Sequence, residues 1–447
     1  MRKRWSSKWT FILATTGAAV GLGNIWKFPY IAGVNGGGAF VLIYLICVLA
    51  IGIPLLVAEL ILGRSGRQNP ISTIQSIAQS TGHSRKWGLI GGLCILTGFI
   101  ILSYYSMIAG WAFDYVVQSV RGSFHQLNAE QANEHFNTLI SDPLRLIFWH
   151  TLIMASTVFI VASGVRRGLE RYILYLFPAM IFILLLLVIY ALVATDFFIE
   201  SLIFLFQPDF SEVNSNTVLV ALGQAFFTLS LALGTIIAYG AYLPRDVSIP
   251  EGAFTVAFAD TTVALLAGMA IFPIVFAHDL TPSAGPGLLF QSLPIAFGDM
   301  PYGNIFSALF FFMIVLAALA TTISLLEPTV SWLIEKFKLT RRHAAVVAGS
   351  AVWLLGFLSI FSFNLWSGYQ LFGLSIFGVI DYITSNIMLP LGGLLIAVFV
   401  GWFMKKQFIQ RELNSEKGLS YYLLRFLLAF ICPIAIIAVF LNAVGII

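Results

Sequence analysis

An apolar run from Phe11 to Ala32 is interrupted near its middle by glycines at positions 17, 21 and 23, and later by Pro29. Glycine weakens helical geometry and proline removes a hydrogen-bond donor, so a membrane helix would open here. Lipid offers no partners to opened backbone groups, which must face a ligand, water or protein. Opened carbonyls can bind a cation, and the restarting helix offers amides and a positive dipole end to an anion. The alternative is a glycine-rich face for close helix packing.

Composition places this break inside a membrane protein. Of the 447 residues, 59% are hydrophobic and only 10% are charged, and the mean hydropathy is +0.93. A soluble domain of this size is not so poor in charge, whereas a polytopic membrane protein is. The three cysteines lie in apolar runs, and no Cys or His spacing predicts a disulfide or a zinc site.

A helix that spans the bilayer needs roughly 20 mostly apolar residues, and eleven segments meet this length. They cover residues 9–34, 38–63, 87–118, 145–163, 170–193, 216–240, 251–277, 303–335, 344–362, 372–403 and 421–445. All 24 Lys and Arg residues except Lys27, Arg121 and Arg145 fall on one side of this arrangement. Loops rich in basic residues face the cytoplasm. The sequence therefore predicts a cytoplasmic N-terminus and, with an odd number of helices, an external C-terminus.

The first and sixth segments share one design. Each has a break of small residues near its middle, at 17–23 in the first and at 230–234 in the sixth. They lie five helices apart, so equivalent positions in the two halves of the chain have opposite topology. Interrupted helices in corresponding positions are the best sequence indication of a transporter binding site. We predict one transporter domain over 1–447, containing inverted repeats over 9–193 and 216–403 and an additional helix over 421–445.

Ionisable side chains within apolar segments are costly, so they should face the bundle interior or a cavity. They are Glu59, Asp260, Glu327 and Asp381, with Lys27 as the one cation of the outer half. Uncharged oxygens are added by Asn24, Gln224, Thr228, Ser230, Thr321 and Thr322. Hard cations bind such mixed sets of oxygens, and Asp260 has no basic partner in its own segment. The alternatives are local bonds of each hydroxyl to its own helix, and a structural network around Glu59 and Glu327.

Several motifs, in the right order and in the right segments, resemble those of one family. They are Arg2 to Trp5, Ala19 to Trp26 followed by Phe28-Pro29, Asn35 to Phe40, Phe226 to Ser230, and Ile323 to Pro328. Over essentially its whole length the chain resembles the neurotransmitter/sodium symporter family, specifically its bacterial amino-acid branch with eleven helices. The resemblance implies an all-α polytopic membrane protein with the LeuT-type inverted repeat. In that fold helices 1–5 and 6–10 form the repeats, helices 1 and 6 are broken, and helix 11 is additional.

The resemblance also implies two sodium sites. The first falls on the Ala19 carbonyl, Asn24, Thr228 and Asp260, and the carboxylate of a bound amino acid completes it. Many relatives have Asn at position 260, and chloride-dependent relatives have Ser where this chain has Ala264, so the Asp260 carboxylate would supply the charge of chloride. The second falls on the carbonyls of Gly17, Val20 and Ala317 and on the hydroxyl of Thr321. Relatives place Thr, Ser or Asp where this chain has Ala320, so one side-chain ligand is missing.

A substrate site is implied between the two sodium sites. The α-carboxylate should meet the amides of Leu22 and Gly23 and the hydroxyl of Tyr105. The amino group should meet the carbonyls of Ala19, Phe227 and Thr228 and the hydroxyl of Ser230. The side-chain pocket would be Ala18, Ile101, Phe227, Leu233, Thr321 and Leu325. This pocket is apolar, and monoamine transporters carry Asp where this chain has Gly21. A neutral, hydrophobic or aromatic amino acid that brings its own carboxylate is therefore expected.

Two gates follow from the same resemblance. Lys27 and Asp381 match the outer pair, with Lys in place of the usual Arg, beneath which Phe227 and Tyr105 would form an aromatic lid. Lysine offers a point charge rather than a bidentate fork, so this outer latch is expected to be weaker. The inner gate falls on Arg2, Trp5, Tyr242 and Glu335, with Glu335 in place of an Asp.

The function implied is a sodium-coupled symporter, not an enzyme, that imports a neutral L-amino acid by alternating access without chloride. Its partners would be the amino acid, Na+ and the lipid bilayer of a bacterial inner membrane, and not a nucleic acid. The particular amino acid and the oligomeric state stay open. Ala320 and Asp260 leave a proton-coupled or single-sodium transporter as an alternative, and a sensor of the same fold is another. An ion channel would need a continuous polar pore and an intramembrane enzyme a catalytic constellation, and the sequence has neither pattern.

Overall fold

The structure is a computed structural model that describes residues 5–211, 213–278, 287–413 and 419–443. Within these residues nine unbroken helices are long and apolar enough to span a membrane. Two further segments, the first and the sixth, are split into half-helices. We number all eleven α1 to α11 in chain order. The unbroken ones are α2 (Gly38–Gly66), α3 (Arg85–Val120), α4 (Pro143–Ala162), α5 (Val165–Ala194), α7 (Ile249–Phe276), α8 (Gly303–Phe337), α9 (Arg341–Ser362), α10 (Ile376–Phe403) and α11 (Ser420–Asn442).

Segment α1 consists of Lys8–Ala19 and Phe28–Val34, joined through a π-helical turn at Gly23–Lys27. The first half ends because Val20 adopts an extended conformation, with ψ of 114°. A close approach explains the glycine that follows. A Cβ at Gly21 would lie 2.6 Å from both the Thr321 Oγ1 and the Tyr105 hydroxyl, so only glycine fits between α3 and α8 at this level.

Segment α6 consists of Ser215–Thr228 and Thr235–Gly240. Between the halves Ser230, Ala232 and Gly234 all have positive φ, at 51°, 59° and 74°. Such conformations cost free energy for residues other than glycine and persist where the surroundings hold them. Part of that support comes from α2, because the Ala232 amide donates to the Glu59 Oε1 at 2.7 Å.

Segment α8 lies at the centre of the bundle, in contact with α3, α4, α5, α9 and the first half of α1. The first half of α1 also packs on α7, and the second half of α6 packs on α2. Segment α11 packs against α10 at the edge of the bundle. Both breaks therefore lie inside the protein, where backbone groups can be satisfied without lipid.

Shorter elements connect the spanning segments. They are the helices Pro70–Ser80, Ala129–Ser141, Phe198–Phe206, Leu293–Asp299 and Lys406–Leu413, and a hairpin of the strands β1 (Gln370–Leu371) and β2 (Leu374–Ser375). The predicted segments agree with the observed helices within a few residues at most ends. The start of α10 differs, at Ile376 instead of 372, because the hairpin turns through Phe372 and Gly373, both at positive φ. The division into repeats at 9–193 and 216–403 stays a prediction.

Candidate functional site

A fully buried polar cluster joins the two breaks to α7. The Asn24 Nδ2 donates to the Thr228 Oγ1 at 2.7 Å and to the Asp260 Oδ1 at 2.8 Å, and the Thr228 hydroxyl donates to the Asp260 Oδ2 at 2.8 Å. The Gly21 amide in turn donates to the Asn24 Oδ1 at 3.0 Å. Among the described residues no cation pairs with Asp260, so no protein cation offsets the cost of burying its carboxylate, and a bound cation would do so. These are three of the predicted ligands of the first sodium site, and the fourth, Ala19, ends the first half of α1.

A second cluster lies between the first half of α1 and α8. The Thr321 Oγ1 is 3.3 Å from the Val20 carbonyl oxygen and 3.3 Å from the Ala317 carbonyl oxygen. A Cβ at Gly17 would lie 3.9 Å from the Cβ of Ala320, so a methyl group faces this glycine at the position where the family resemblance implies a ligand. The structure thus brings together Val20, Ala317 and Thr321, three of the residues predicted for the second sodium site, and it places the fourth, Gly17, beside Ala320.

Thr322 points away from that cluster. Its hydroxyl lies 2.8 Å from the Thr157 Oγ1 on α4 and donates to the Leu319 carbonyl at 3.0 Å. This threonine satisfies its hydroxyl within the helix and with a neighbouring helix, as local side-chain bonding allows. It therefore does not supply the oxygen that Ala320 lacks.

The predicted substrate residues meet at the gap in α1. The Leu22 amide donates to the Tyr105 hydroxyl at 3.0 Å, and the Ser230 hydroxyl donates to the Ala18 carbonyl at 3.0 Å. A Cβ at Gly23 would lie 2.9 Å from the Phe227 ring. The amide, the phenol and the backbone at the break are thus polar groups that converge on one small region.

The apolar side of this region includes a glycine that the sequence reasoning missed. A Cβ at Gly98 on α3 would lie 3.0 Å from the Leu233 carbonyl oxygen and 3.6 Å from the Leu325 Cδ2. Leu233 and Leu325 therefore come together opposite Gly98, and Ile101 lies buried about one turn further along α3. A small residue in α3 facing a break in α6 would have been the signal to look for.

Gln224 and Glu59 flank the breaks. The Gln224 Nε2 donates to the Gly23 carbonyl at 2.9 Å, and its Oε1 is buried without a hydrogen-bond partner among the described residues. Glu59 supports the α6 break through the Ala232 amide, and its Oε2 likewise has no partner there. Of the two interpretations open for Glu59, the structural network fits this contact with the α6 backbone.

The outer pair is not joined in this structure. The Lys27 Nζ lies 4.2 Å from the centroid of the Phe227 ring, as in a cation–π contact. Asp381 instead accepts from the Tyr104 hydroxyl at 3.1 Å and from Ser385 at 2.9 Å. Among the described residues no ion pair links Lys27 with Asp381. A cavity of about 220 Å³ opens beside Lys27, bounded by α6, α10 and α11.

The opposite side is held by direct contacts. The Trp5 amide donates to the Tyr242 carbonyl at 3.2 Å, and the Trp5 indole donates to the Tyr239 carbonyl at 3.2 Å. The Tyr242 hydroxyl donates to the Glu327 Oε1 at 2.7 Å, and Arg341 forms an ion pair with Glu327. The sequence reasoning counted Arg341 only as an orienting charge, and it missed this pairing.

Glu335, another residue predicted for the inner gate, makes a different contact. Glu335 accepts a hydrogen bond from the Asn69 amide at 3.0 Å, which ties the end of α8 to the loop after α2. Arg2 lies outside the described residues.

Two helices of this bundle are each broken once, and clusters of buried oxygen atoms lie at the breaks. These features define a secondary membrane transporter. The chain belongs to the Sodium:neurotransmitter symporter family, whose sequence profile matches residues 2–143 and 140–446. The Uncharacterized sodium-dependent transporter YhdH of Bacillus subtilis (strain 168) is 36% identical over 446 residues, covering 99% of this chain and 98% of that protein. An Uncharacterized sodium-dependent transporter of Haemophilus influenzae is 34% identical, with the same coverage of 99% and 98%.

Among solved structures, MhsT in complex with L-phenylalanine has a TM-score of 0.90 and 40% identity, covering 99% of this chain and 100% of that one. The predictions of the family, of the LeuT-type fold, of sodium as the coupled ion and of a protein that is not an enzyme are therefore confirmed. The chain is a multi-pass, sodium-dependent transporter.

Proposed function

We propose that this chain is a symporter that imports a neutral, hydrophobic or aromatic L-amino acid together with sodium, by alternating access and without chloride. The packing around Gly21 is the main observation that supports this substrate class. A Cβ there would lie 2.6 Å from two oxygen atoms, so no acidic side chain can stand at this position to bind an amine. The substrate must therefore bring its own carboxylate.

The polar groups at the α1 gap suit such a carboxylate. The Leu22 amide donates to the Tyr105 hydroxyl at 3.0 Å, so the two groups lie side by side. Both the N–H and the O–H can donate a hydrogen bond to a bound anion. The Leu22 and Gly23 amides lie where α1 restarts, at the positive end of the second half. The amino group would lie among the carbonyls of Ala19, Phe227 and Thr228 and the Ser230 hydroxyl.

The apolar side of the pocket suits a neutral side chain. Leu233 and Leu325 lie opposite Gly98, and Ala18 and Ile101 are buried as well. Burying a charged substrate group against such a surface would cost several kcal/mol without a partner. The phenylalanine in the MhsT complex supports the same class, since that protein is 40% identical to this one.

Sodium would occupy both clusters at the α1 break. At the first, Asp260 gives a charged oxygen, and the substrate carboxylate would add another, so that chloride is not required. At the second, an ion would be held by the carbonyls of Gly17, Val20 and Ala317 and by Thr321. In the present conformation the contacts of Trp5 and Tyr242 close one side while Lys27 and Asp381 are apart on the other, which suits one state of an alternating cycle.

A second candidate is transport with a single sodium per substrate. It is favoured by Ala320, whose methyl group faces Gly17 in the second cluster. The first cluster would then bind the only coupled ion, and the second would be a packing contact.

Uptake into proteoliposomes tests these proposals. An inward sodium gradient should drive accumulation of labelled L-phenylalanine or L-leucine but not of L-glutamate or L-lysine. Replacing sodium by choline should abolish uptake, and replacing chloride by gluconate should leave it unchanged. Binding without accumulation would show a sensor instead, and uptake driven by a pH gradient in choline would show proton coupling.

A matched pair of variants tests the carboxylate position. Tyr105→Phe removes the hydroxyl at Leu22, and Tyr115→Phe removes a hydroxyl elsewhere on α3, where it donates to the Phe290 carbonyl at 2.8 Å. Because a hydrogen bond to a charged group contributes roughly 1.5 kcal/mol or more, Tyr105→Phe should weaken substrate binding about tenfold. Equal affinities in the two variants would contradict the proposed carboxylate site.

A further inference from the structure

One corner of the bundle carries positive charge that the transport proposal does not use. It lies where α3 begins and α10 ends, and we call it the α3–α10 corner. Arg85 and Lys86 are exposed at the start of α3, and Lys405 is exposed just after α10. The Lys405 Nζ donates to the Ser80 carbonyl at 3.3 Å, which brings this cation to the end of the helix Pro70–Ser80 that precedes α3.

Within the described part of the chain these three cations have no acidic partner. Among the described residues none of Arg85, Lys86 and Lys405 forms an ion pair, whereas Arg64, on the same side, pairs with Glu412 at 2.5 Å. They also belong to the side of the bundle that is rich in basic residues. An unpaired cation cluster at a membrane surface attracts anionic lipid headgroups.

An apolar groove of about 410 Å³ runs from Lys86 along the outside of the bundle. Its lining is formed by Ser84, Lys86, Trp87, Ile90, Leu93 and Leu395. Leu89, at the mouth, is 75% exposed, although it lies in a spanning helix. The groove is therefore open toward the space that lipid fills, and it continues from a basic end to a purely aliphatic one.

Aromatic packing fixes the wall of this groove. The Trp87 ring lies 4.6 Å from the Phe403 ring and 5.3 Å from the Phe399 ring, measured between centroids, so α3 and α10 are joined at this level. No hydrogen bond of the Trp87 indole N–H exists within the part of the chain that the structure describes. Tryptophan at this depth commonly presents its N–H to the lipid interface.

We propose that the α3–α10 corner binds one anionic phospholipid from the leaflet on the basic side. The headgroup phosphate would lie between Lys86 and Lys405, with the Ser84 hydroxyl and the Trp87 N–H as further donors. One acyl chain would lie in the groove along Ile90, Leu93 and Leu395. Charge selects an anionic lipid over a zwitterionic one, and the length of the apolar lining selects a lipid over a free phosphate ion.

Native mass spectrometry of the full-length protein tests this, with equal amounts of phosphatidylglycerol and phosphatidylcholine in the detergent micelles. The parent should retain phosphatidylglycerol preferentially. The double variant Lys86→Gln/Lys405→Gln should lose affinity about fivefold for each cation removed. The control Lys336→Gln/Lys338→Gln removes the same charge from exposed positions at the end of α8 on the same side, and it should bind like the parent.

A third variant tests the groove without changing charge. Leu395→Trp fills the aliphatic end and should also reduce retention, at an unchanged melting temperature that shows the protein is folded. Equal retention of both lipids by the parent, equal losses in the control and corner variants, or full retention by Leu395→Trp would each overturn the proposal. Competition by glycerol 1-phosphate as effective as that by the lipid would likewise overturn it, since the groove would then play no part.

Discussion

The two oxygen clusters at the α1 break differ in what holds them together. In the first, three side chains from α1, α6 and α7 bond one another at 2.7 to 2.8 Å around the carboxylate of Asp260. In the second, Thr321 of α8 lies 3.3 Å from carbonyls on both α1 and α8, and no charged group takes part. One cluster is organised by a charge, and the other by the apposition of two helices.

This difference predicts different roles for an ion at each place. A cation at the first cluster neutralises a buried carboxylate, so its binding should depend mainly on electrostatics. A cation at the second would bridge the first half of α1 and α8 and would mainly hold two bodies together. Variants that remove charge should therefore weaken ion binding at the first cluster. Variants that weaken the ion bridge between α1 and α8 should make the bundle open more often on the Trp5 side, which is the side closed by the contact of Trp5 with Tyr242.

The largest effect is expected from Asp260→Asn. This change keeps the size of the side chain and removes its charge, and loss of one partner of a buried charge pair costs roughly 3 kcal/mol. Sodium affinity should fall about 100-fold, since 1.4 kcal/mol corresponds to about a factor of ten. Chloride should restore part of it. Sodium titration of labelled-substrate binding, in chloride and in gluconate, measures both effects.

The control for this variant is Thr262→Val on the same helix. The Thr262 hydroxyl donates to the Phe258 carbonyl of its own helix at 2.8 Å and takes no part in the cluster. Its removal should leave the sodium titration unchanged. Identical sodium affinity and chloride response in Asp260→Asn and in the parent would show that no ion uses the carboxylate.

A smaller effect is expected from Thr321→Val, which removes the only side-chain oxygen of the second cluster without changing volume much. Loss of one neutral ligand, with the free energy of about one buried hydrogen bond, should weaken sodium binding roughly tenfold. Reactivity of a cysteine introduced on the Trp5 side should rise, because the bridge to α8 is weaker. Thr322→Val is the matched control, since that hydroxyl bonds Thr157 on α4. Equal sodium titrations in the two variants would argue that no ion binds between α1 and α8.

The sequence predicted the helices well because each is a long apolar run with charged ends. It predicted the breaks because clustered glycines weaken a helix in the middle of a run that is otherwise long enough to span the membrane. The exception at α10 is instructive: residues 370–375 contain no charged side chain, yet they form the hairpin of β1 and β2. Composition alone does not distinguish an uncharged turn from the start of a helix.

The candidate functional site was harder to predict from the sequence than the helices were. The three side chains of the first cluster come from three helices. Asn24 is 204 positions from Thr228 and 236 positions from Asp260 along the chain, and only the family resemblance predicted that they meet. Arg341 was interpreted as a loop charge, because its reach to Glu327 depends on how α8 and α9 pack. Thr322 was named as a possible oxygen ligand, but its hydroxyl faces α4, whereas that of Thr321, about 100° away around the helix, faces α1.

The outer pair, Lys27 and Asp381, provides a further test of the difference between the two oxygen clusters. Lys27 lies over Phe227, which precedes the first-cluster residue Thr228, so opening here should expose the first cluster before the second. Asp381→Asn removes one charge of the half-buried pair, which is expected to contribute roughly 1 kcal/mol when joined. The outward-open population should rise about fivefold. Spin-label distances across the outer vestibule measure this, with the exposed Asp299→Asn as control, and an unchanged distribution would remove Asp381 from the gate.

The last expected effect, similar in size to that of Asp381→Asn, is a gain rather than a loss. Ala320→Ser adds one oxygen beside Gly17, where a Cβ added to the glycine would lie 3.9 Å from the Ala320 Cβ, and so gives the second cluster the ligand that it lacks. One added hydrogen-bond-like contact of about 1 kcal/mol should tighten sodium binding roughly fivefold and slow opening on the Trp5 side. Ala318→Ser makes the same substitution on another face of α8 and should do neither. If Ala320→Ser titrates like the parent, and the parent carries one sodium per substrate, the second cluster is a packing contact and the two regions differ in kind rather than in strength.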